Sequence, residues 1–289
     1  MRRLLAGLVS GLIASLVVAA PAPAGRIQRA SGELLTPAQL VSALADVDLV
    51  LVGETHDNVA HHAVEAWLAK ALAERRTPGA VVMEMLAAPQ QAAVTSVQRF
   101  APADRRAWDD AALARALVWQ PGWPWALYAP LMRQLLDLPG PIVAGDLGPD
   151  ALLRLRQPVP PLEGASSTAE PVRERLRQEI ARSHCRMLSA EQVERMLTVQ
   201  QHRDRHLATQ VLAAPAPVLL IAGRFHASRL TGVPLHVADL APERRQRVLL
   251  LAVKGETVPS GSADFIWFVP ATAADAKDPC AAMTAGARP

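Results

Sequence analysis

Cysteine and tyrosine are scarce in this sequence: two Cys and one Tyr in 289 residues. Neither cysteine stands near the N-terminus, so no residue is available there to accept a bacterial lipid anchor. No Gly-x-Gly-x-x-Gly loop occurs, which removes the usual backbone cradle for a nucleotide cofactor. Local metal motifs such as His-Glu-x-x-His and internal repeats are also missing. Nor is there a lasting excess of one charge. The formal net charge is +3, and two of the positive charges are Arg2 and Arg3. A balance so near zero is no nucleic-acid signature.

What is present at the start reads as a secretory signal. Arg2 and Arg3 precede an uncharged apolar stretch, Leu4 to Ala20, and Ala22-Pro23-Ala24 is a small-x-small cleavage pattern. The expected organisation is a signal peptide at 1–24, one α/β domain at 25–272 and a C-terminal tail at 273–289. Such a protein is expected to be periplasmic or secreted. In an oxidising compartment, Cys185 and Cys280 most simply form one disulfide that ties the tail to a helix end.

Five short, nearly continuous apolar runs stand out: Asp48–Val52, Ala80–Met85, Pro141–Gly145, Val218–Ala222 and Val248–Val253. They are too short for helices and do not alternate, the pattern of strands buried on both faces of a parallel sheet. Helical patterns lie between them. Thr36-Pro37 is an N-cap followed by a first-turn proline. Asn58 to Arg76 repeats apolar residues at helical spacing, and Ser189 with Gln192 forms a capping box opening a helix to about Leu212. The segment Arg156–Ser167 reads as a loop before an arginine-rich helical pair. The fold class expected is α/β, a mostly parallel (mixed) sheet flanked by helices.

The chemistry-bearing residues follow the apolar runs. The first ends in Gly53-Glu54-Thr55-His56-Asp57-Asn58, the second holds Glu84, the third leads to Asp146 and the fourth to Gly223-Arg224-Phe225-His226. Ligands of open α/β sheets bind beyond the carboxyl ends of the strands, so these side chains point to a cleft there. Glu54, His56, Glu84 and His226 form an acid/base or metal-binding set. A structural alternative has Glu54 and His226 bonded to each other and to the glycine turns. Asp57 and Asn58 serve equally well as a helix cap. His62 is placed to face the cleft, and His61 to face solvent.

Three of six Trp and the only Tyr crowd into Trp119 to Tyr128, where Pro121-Gly122 and Pro124 form a turn opening a helix. This is either core packing or an amphipathic platform for a flat apolar ligand, with Tyr128 offering an oxygen to a metal. The run Gln200 to His206 alternates in charge. Such runs are ordinarily solvated faces; otherwise Arg203 or His206 meets ligand carboxylates.

Gly53-Glu54-Thr55-His56-Asp57-Asn58 with His61-His62, Trp125-x-x-Tyr128-x-Pro130, and Gly223-x-x-His226 with Gly232-Val233-Pro234 together resemble the ChaN-like haem-binding family. That family lies within the Tiki/TraB/erythromycin-esterase superfamily. Ser183-His184-Cys185 and Arg203-Asp204-x-x-Leu207-Ala208 resemble its middle region, and the likeness spans roughly residues 30 to 270. The resemblance implies an exported haem-binding protein of bacterial iron acquisition, one that holds haem or relays it to a receptor or transporter. It implies haem as cofactor, a possible homodimer, and Tyr128 as iron ligand with His56, His62, His226, Trp125 and Arg203 around it. Glu54, Asp57, Asn58, Glu84 and Asp146 would complete the cleft. It also implies a second reading, a metal-dependent or His/Glu hydrolase using Glu54, Glu84 and His226. Arg224 and Phe225 depart from the small residues usual in the last motif, and Leu207 stands where Met is common.

Overall fold

The computed structural model describes residues 21–155, 157, 159–272 and 280. The expected signal and tail therefore fall almost wholly outside the described residues. The strands are β1 (Arg26–Arg29), β2 (Leu34–Leu35), β3 (Leu49–Glu54), β4 (Val81–Ala87), β5 (Ile142–Asp146), β6 (Val218–Gly223), β7 (Gln246–Val253) and β8 (Phe265–Val269). They form one sheet in the order β2-β1-β8-β7-β3-β6-β4-β5. From β8 to β5 every pairing is parallel, while β1 runs antiparallel to both β8 and β2.

The five apolar runs are β3 to β7. Strand β8 is a sixth run of the same kind, Phe-Ile-Trp-Phe-Val, beside β7. Strand β1, Arg-Ile-Gln-Arg, carries too little apolar character to stand out. Its arginines Arg26 and Arg29 lie over the rings of Phe268 and Phe265.

Strand alternation divides the core in two. Val50 and Val52 of β3 and Met83 of β4 face one layer, with the Pro37–Ala45, Val59–Arg75 and Trp125–Leu136 helices. Leu49, Leu51 and Val82 face the other, with the Ala190–Ala213 and Val233–Leu240 helices. The caps expected from sequence are in place. Thr36 and Ser189 close capping boxes with Gln39 and Gln192. Asn58 caps its helix, accepting from the backbone N–H groups of Ala60 and His61.

After the loop, the Glu170–Ser183 helix packs on Ala190–Ala213 through Leu176, Ile180 and Leu197. Cys185, just beyond the first of these helices, is bonded to Cys280. Among the described residues no helix is long and apolar enough to cross a membrane.

Candidate functional site

Strands β3, β6, β4 and β5 are consecutive neighbours, so their carboxyl ends bring Glu54, Gly223, Glu84 and Asp146 to one edge. Alternation then sends the carboxylates apart. Glu54 is in phase with Val50 and Val52 and dips toward the aromatic layer. Glu84 is in phase with Val82 and turns toward the Ala190–Ala213 helix; the β4–β5 register shifts between Met83 and Ala87, around it.

On the aromatic side Glu54 is buried. Its Oε1 accepts the Tyr128 hydroxyl at 2.8 Å and lies 2.7 Å from His56 Nδ1. Its Oε2 lies 2.7 Å from His62 Nε2. Burial disfavours the charge on Glu54, yet His56 and His62 outweigh it and hold the carboxyl down to about 2. Tyr128 is 0% exposed, ringed by Trp119, Trp123 and His62. Burial, then the Glu54 charge, push its phenol well above the usual range. The aromatic segment thus belongs chiefly to the core: Trp119, Trp123 and Trp125 all pack against the first hydrophobic layer. Tyr128 in this conformation presents no oxygen to a ligand outside, because its hydroxyl is sealed against Glu54.

On the opposite side Glu84 Oε1 accepts from Arg203 Nη2 at 2.9 Å and lies 3.1 Å from His226 Nε2. Its Oε2 accepts the Gly223 N–H at 2.7 Å. Arg203 also forks onto Asp146, at 3.0 and 2.6 Å. His226 Nδ1 meets Asp204 Oδ1 at 2.5 Å. Burial opposes a charge on His226, but Glu84 and Asp204 override it and raise the imidazole to about 10. With one ring nitrogen against Asp204 and the other against Glu84, His226 is held toward its charged form.

His56 joins the two sides. Its Nδ1 is bound to Glu54, its Nε2 is 3.9 Å from Glu84 Oε2, and its side chain is 36% exposed beneath the Trp123 ring. Burial lowers its pKa, but the hydrogen bond to Glu54 and the Glu84 charge raise it overall. The approach depends on Gly223, where a Cβ would lie 2.7 Å from His56 Nε2.

Several expectations change in the structure. His226 bonds Asp204 and Glu84, not Glu54, because Glu54 and Glu84 face opposite layers. His61 is buried rather than solvent-facing: its Nδ1 accepts the Thr55 N–H at 3.0 Å, which tightens the turn after β3. The charged run of the long helix is not a solvated face at Arg203 and Asp204, which point into the site. Asp57 is exposed. Arg224 folds away from the site onto Glu256 and the Thr55 hydroxyl, leaving Phe225 exposed at the rim.

Two buried acids have no site role in the sequence reading, Asp204 and Glu65. Each sits in phase with an apolar helical stripe, Asp204 with Leu197, Leu207 and Val211, Glu65 with Val64, Leu68 and Leu72. An ionisable residue in such a stripe is the signal that would have found them.

The polar edge opens into a groove of about 530 Å³ between the Glu170–Ser183 and Ala190–Ala213 helices. Leu176, Ile180, Met196 and Phe225 form its apolar walls, and its polar lining includes Arg203, His184, Arg195, Glu179 and Gln200. His184 Nδ1 gives its proton to the Ile180 carbonyl at 2.8 Å, so its Nε2 keeps a lone pair. Left-handed backbone at Cys185 and Arg186, with φ 55 and 57, turns the chain sharply after this ring.

The charge pattern predicts a pH dependence of stability. The folded His226 titrates near 10 against an ordinary 6.5. Its contribution is therefore complete below 6.5 and is lost as pH rises toward 10. Thermal midpoints measured from pH 6.5 to 9.5 should fall, and the fall should be shallower in His226→Gln. An equal slope in the variant would mean that His226 is neutral in the folded protein.

The fold and site define an α/β protein with a carboxylate–histidine edge beside an apolar helical groove. The chain belongs to the family described as haem-binding uptake, Tiki superfamily, ChaN, which it matches over residues 40–237. It is similar to ChaN of Campylobacter jejuni, whose structure is described as showing cofacial haem binding: identity is 24%, the TM-score is 0.77, and the match covers 86% of this chain and 97% of that one. At that identity the likeness shows the fold. An erythromycin esterase, EreC, in its open conformation matches at 17% identity and a TM-score of 0.39, covering 81% of this chain and 79% of its own. That score carries no argument. No curated protein matches the chain.

Proposed function

We propose that this protein binds haem as cargo in the groove between the Glu170–Ser183 and Ala190–Ala213 helices, after export to an oxidising compartment. The observation that carries the reading is the groove itself, read together with the family: apolar walls for a porphyrin, a cation and an imidazole lone pair at separate points. Arg203 would meet the propionates, and His184 Nε2 would ligate the iron, with its tautomer set by Ile180. Haem iron, when bound, would accept that imidazole and so anchor the cargo. Among the imidazoles expected from sequence, His56 is the one with its side chain 36% exposed at the edge. Tyr128, His62 and His226 would instead shape the edge from within.

The Cys185–Cys280 bond supports a location outside the cytoplasm, periplasmic or secreted, the location that the signal expected at 1–24 would give. Cofacial haem in the similar structure motivates a homodimer here, with two grooves meeting across a haem pair. Transfer to a receptor or transporter would follow opening of that dimer.

Haemin titration of the full chain, followed in the Soret region beside His184→Ala, His56→Ala and Tyr128→Phe, tests this. A saturable band that is shifted or weakened at least tenfold in affinity by His184→Ala, and unchanged by Tyr128→Phe, is the expected result. A band altered only by Tyr128→Phe would return the iron to the phenol and require Trp123 and Glu54 to move aside. The absence of any saturable band would remove haem and favour the hydrolase reading of the edge.

A further inference from the structure

Behind the edge, between β3 and the Val59–Arg75 helix, four buried side-chain atoms find no hydrogen-bond partner outside their own group: Glu54 Oε2, His62 Nε2 and both carboxylate oxygens of Glu65. Glu65 is 0% exposed and His62 3%. One donor atom from each of the three residues lies within 4.8 Å of the others. Burying so many acceptors together is costly unless a proton or a cation lies between them. Here they converge on one point.

The chemistry of the cluster is that of metal ligands. Because a carbonyl oxygen only accepts, the 3.1 Å contact between His62 Nδ1 and Leu127 O places the proton on Nδ1. Nε2 faces Glu54 Oε2 at 2.7 Å, a contact that needs a proton or a cation between the two atoms. A backbone carbonyl holding the far nitrogen is the usual support of a metal-bound histidine. Glu54 is supported in the same manner, since its other oxygen takes the Tyr128 hydroxyl and lies against His56. His62 and Glu65 are three apart on one helix, so both project from the same face toward the strand end.

We propose that Glu54, His62 and Glu65 bind a divalent transition-metal ion of the zinc or manganese class. One imidazole and two carboxylates suit such ions, whose ligand atoms around the metal stand about 3–3.5 Å apart. The ion would pin the Val59–Arg75 helix to the end of β3 and so fix the turn that carries His56. Its burial marks it as structural. It is separate from the haem groove, and neither reading depends on the other.

The test is calorimetric titration of the EDTA-stripped full chain with zinc chloride and with manganese chloride, beside Glu65→Gln and His62→Ala. One equivalent should bind to the unmodified chain with a rise in thermal midpoint. Each variant should weaken binding by more than tenfold and lose that rise. Failure of both metals to bind, or binding that both variants retain unchanged, overturns the proposal. Should circular dichroism show that a variant has not folded, the cobalt(II) spectrum of the unmodified chain decides. Intense visible bands saturating at one equivalent support the site, and a spectrum like that of aqueous cobalt overturns it.

Discussion

Glu84→Ala is expected to destabilise the protein by about 3–5 kcal/mol, the cost of breaking a buried charge network by removing one partner. One carboxylate here serves three donors. Oε1 takes Arg203 and lies against His226, while Oε2 takes the Gly223 N–H. Truncation leaves the imidazolium with Asp204 alone and the guanidinium with Asp146 alone. It also strands a backbone N–H at the end of β6, which by itself costs about 1–3 kcal/mol. In a domain of this size the thermal midpoint should fall by on the order of 10 °C. Glu84→Gln keeps the shape and one acceptor but not the charge, so its loss should be smaller, and the losses of both variants should shrink as pH is raised from 6.5 to 9.5. Denaturant unfolding of the three proteins measures this; a loss below about 1 kcal/mol for Glu84→Ala would mean that the network is weakly coupled.

Gly232→Ala is expected to cost about 3 kcal/mol, the upper part of the range for overpacking. A Cβ at this position would lie 2.1 Å from the His226 carbonyl oxygen and 2.6 Å from that of Phe225. Both obstacles are backbone, so no rotamer change relieves them. The Gly223–Ser228 turn must shift, and His226 is then drawn off Asp204 and Glu84. The expected signature is a loss of stability together with a weaker decline of stability between pH 6.5 and 9.5. Gly122→Ala is the control: nothing lies within 4 Å of a Cβ there. It should change stability by less than about 0.5 kcal/mol. Equal behaviour of the two variants in urea would refute the packing argument.

The strand runs and helix starts were legible because local rules govern them. Continuous apolar segments name strands with two covered faces, and Thr36, Asn58 and Ser189 announce helices through hydrogen bonds to residues only two or three positions away. The edge location was legible as well, since each motif directly follows its strand. The partnerships were not. Glu54 pairs with Tyr128, 74 residues away, and Glu84 with Arg203, 119 away. His61 and His62 are adjacent in sequence, and both are buried, one closing a turn and the other facing Glu54.

Sequence by itself determined that this chain forms a mostly parallel α/β sheet with acids and imidazoles gathered at one edge. Periodicity, caps and strand-end motifs are short-range and survive without knowledge of the fold. Only the tertiary structure decided that the edge is two clusters on opposite layers, with Tyr128 sealed inside one and His226 held between Glu84 and Asp204 inside the other. The physical reason is that a side chain's layer follows from the parity of its place along the strand. Its charge follows from which distant carboxylates the sheet order and helix packing bring within about 3 Å, where burial makes each contact count.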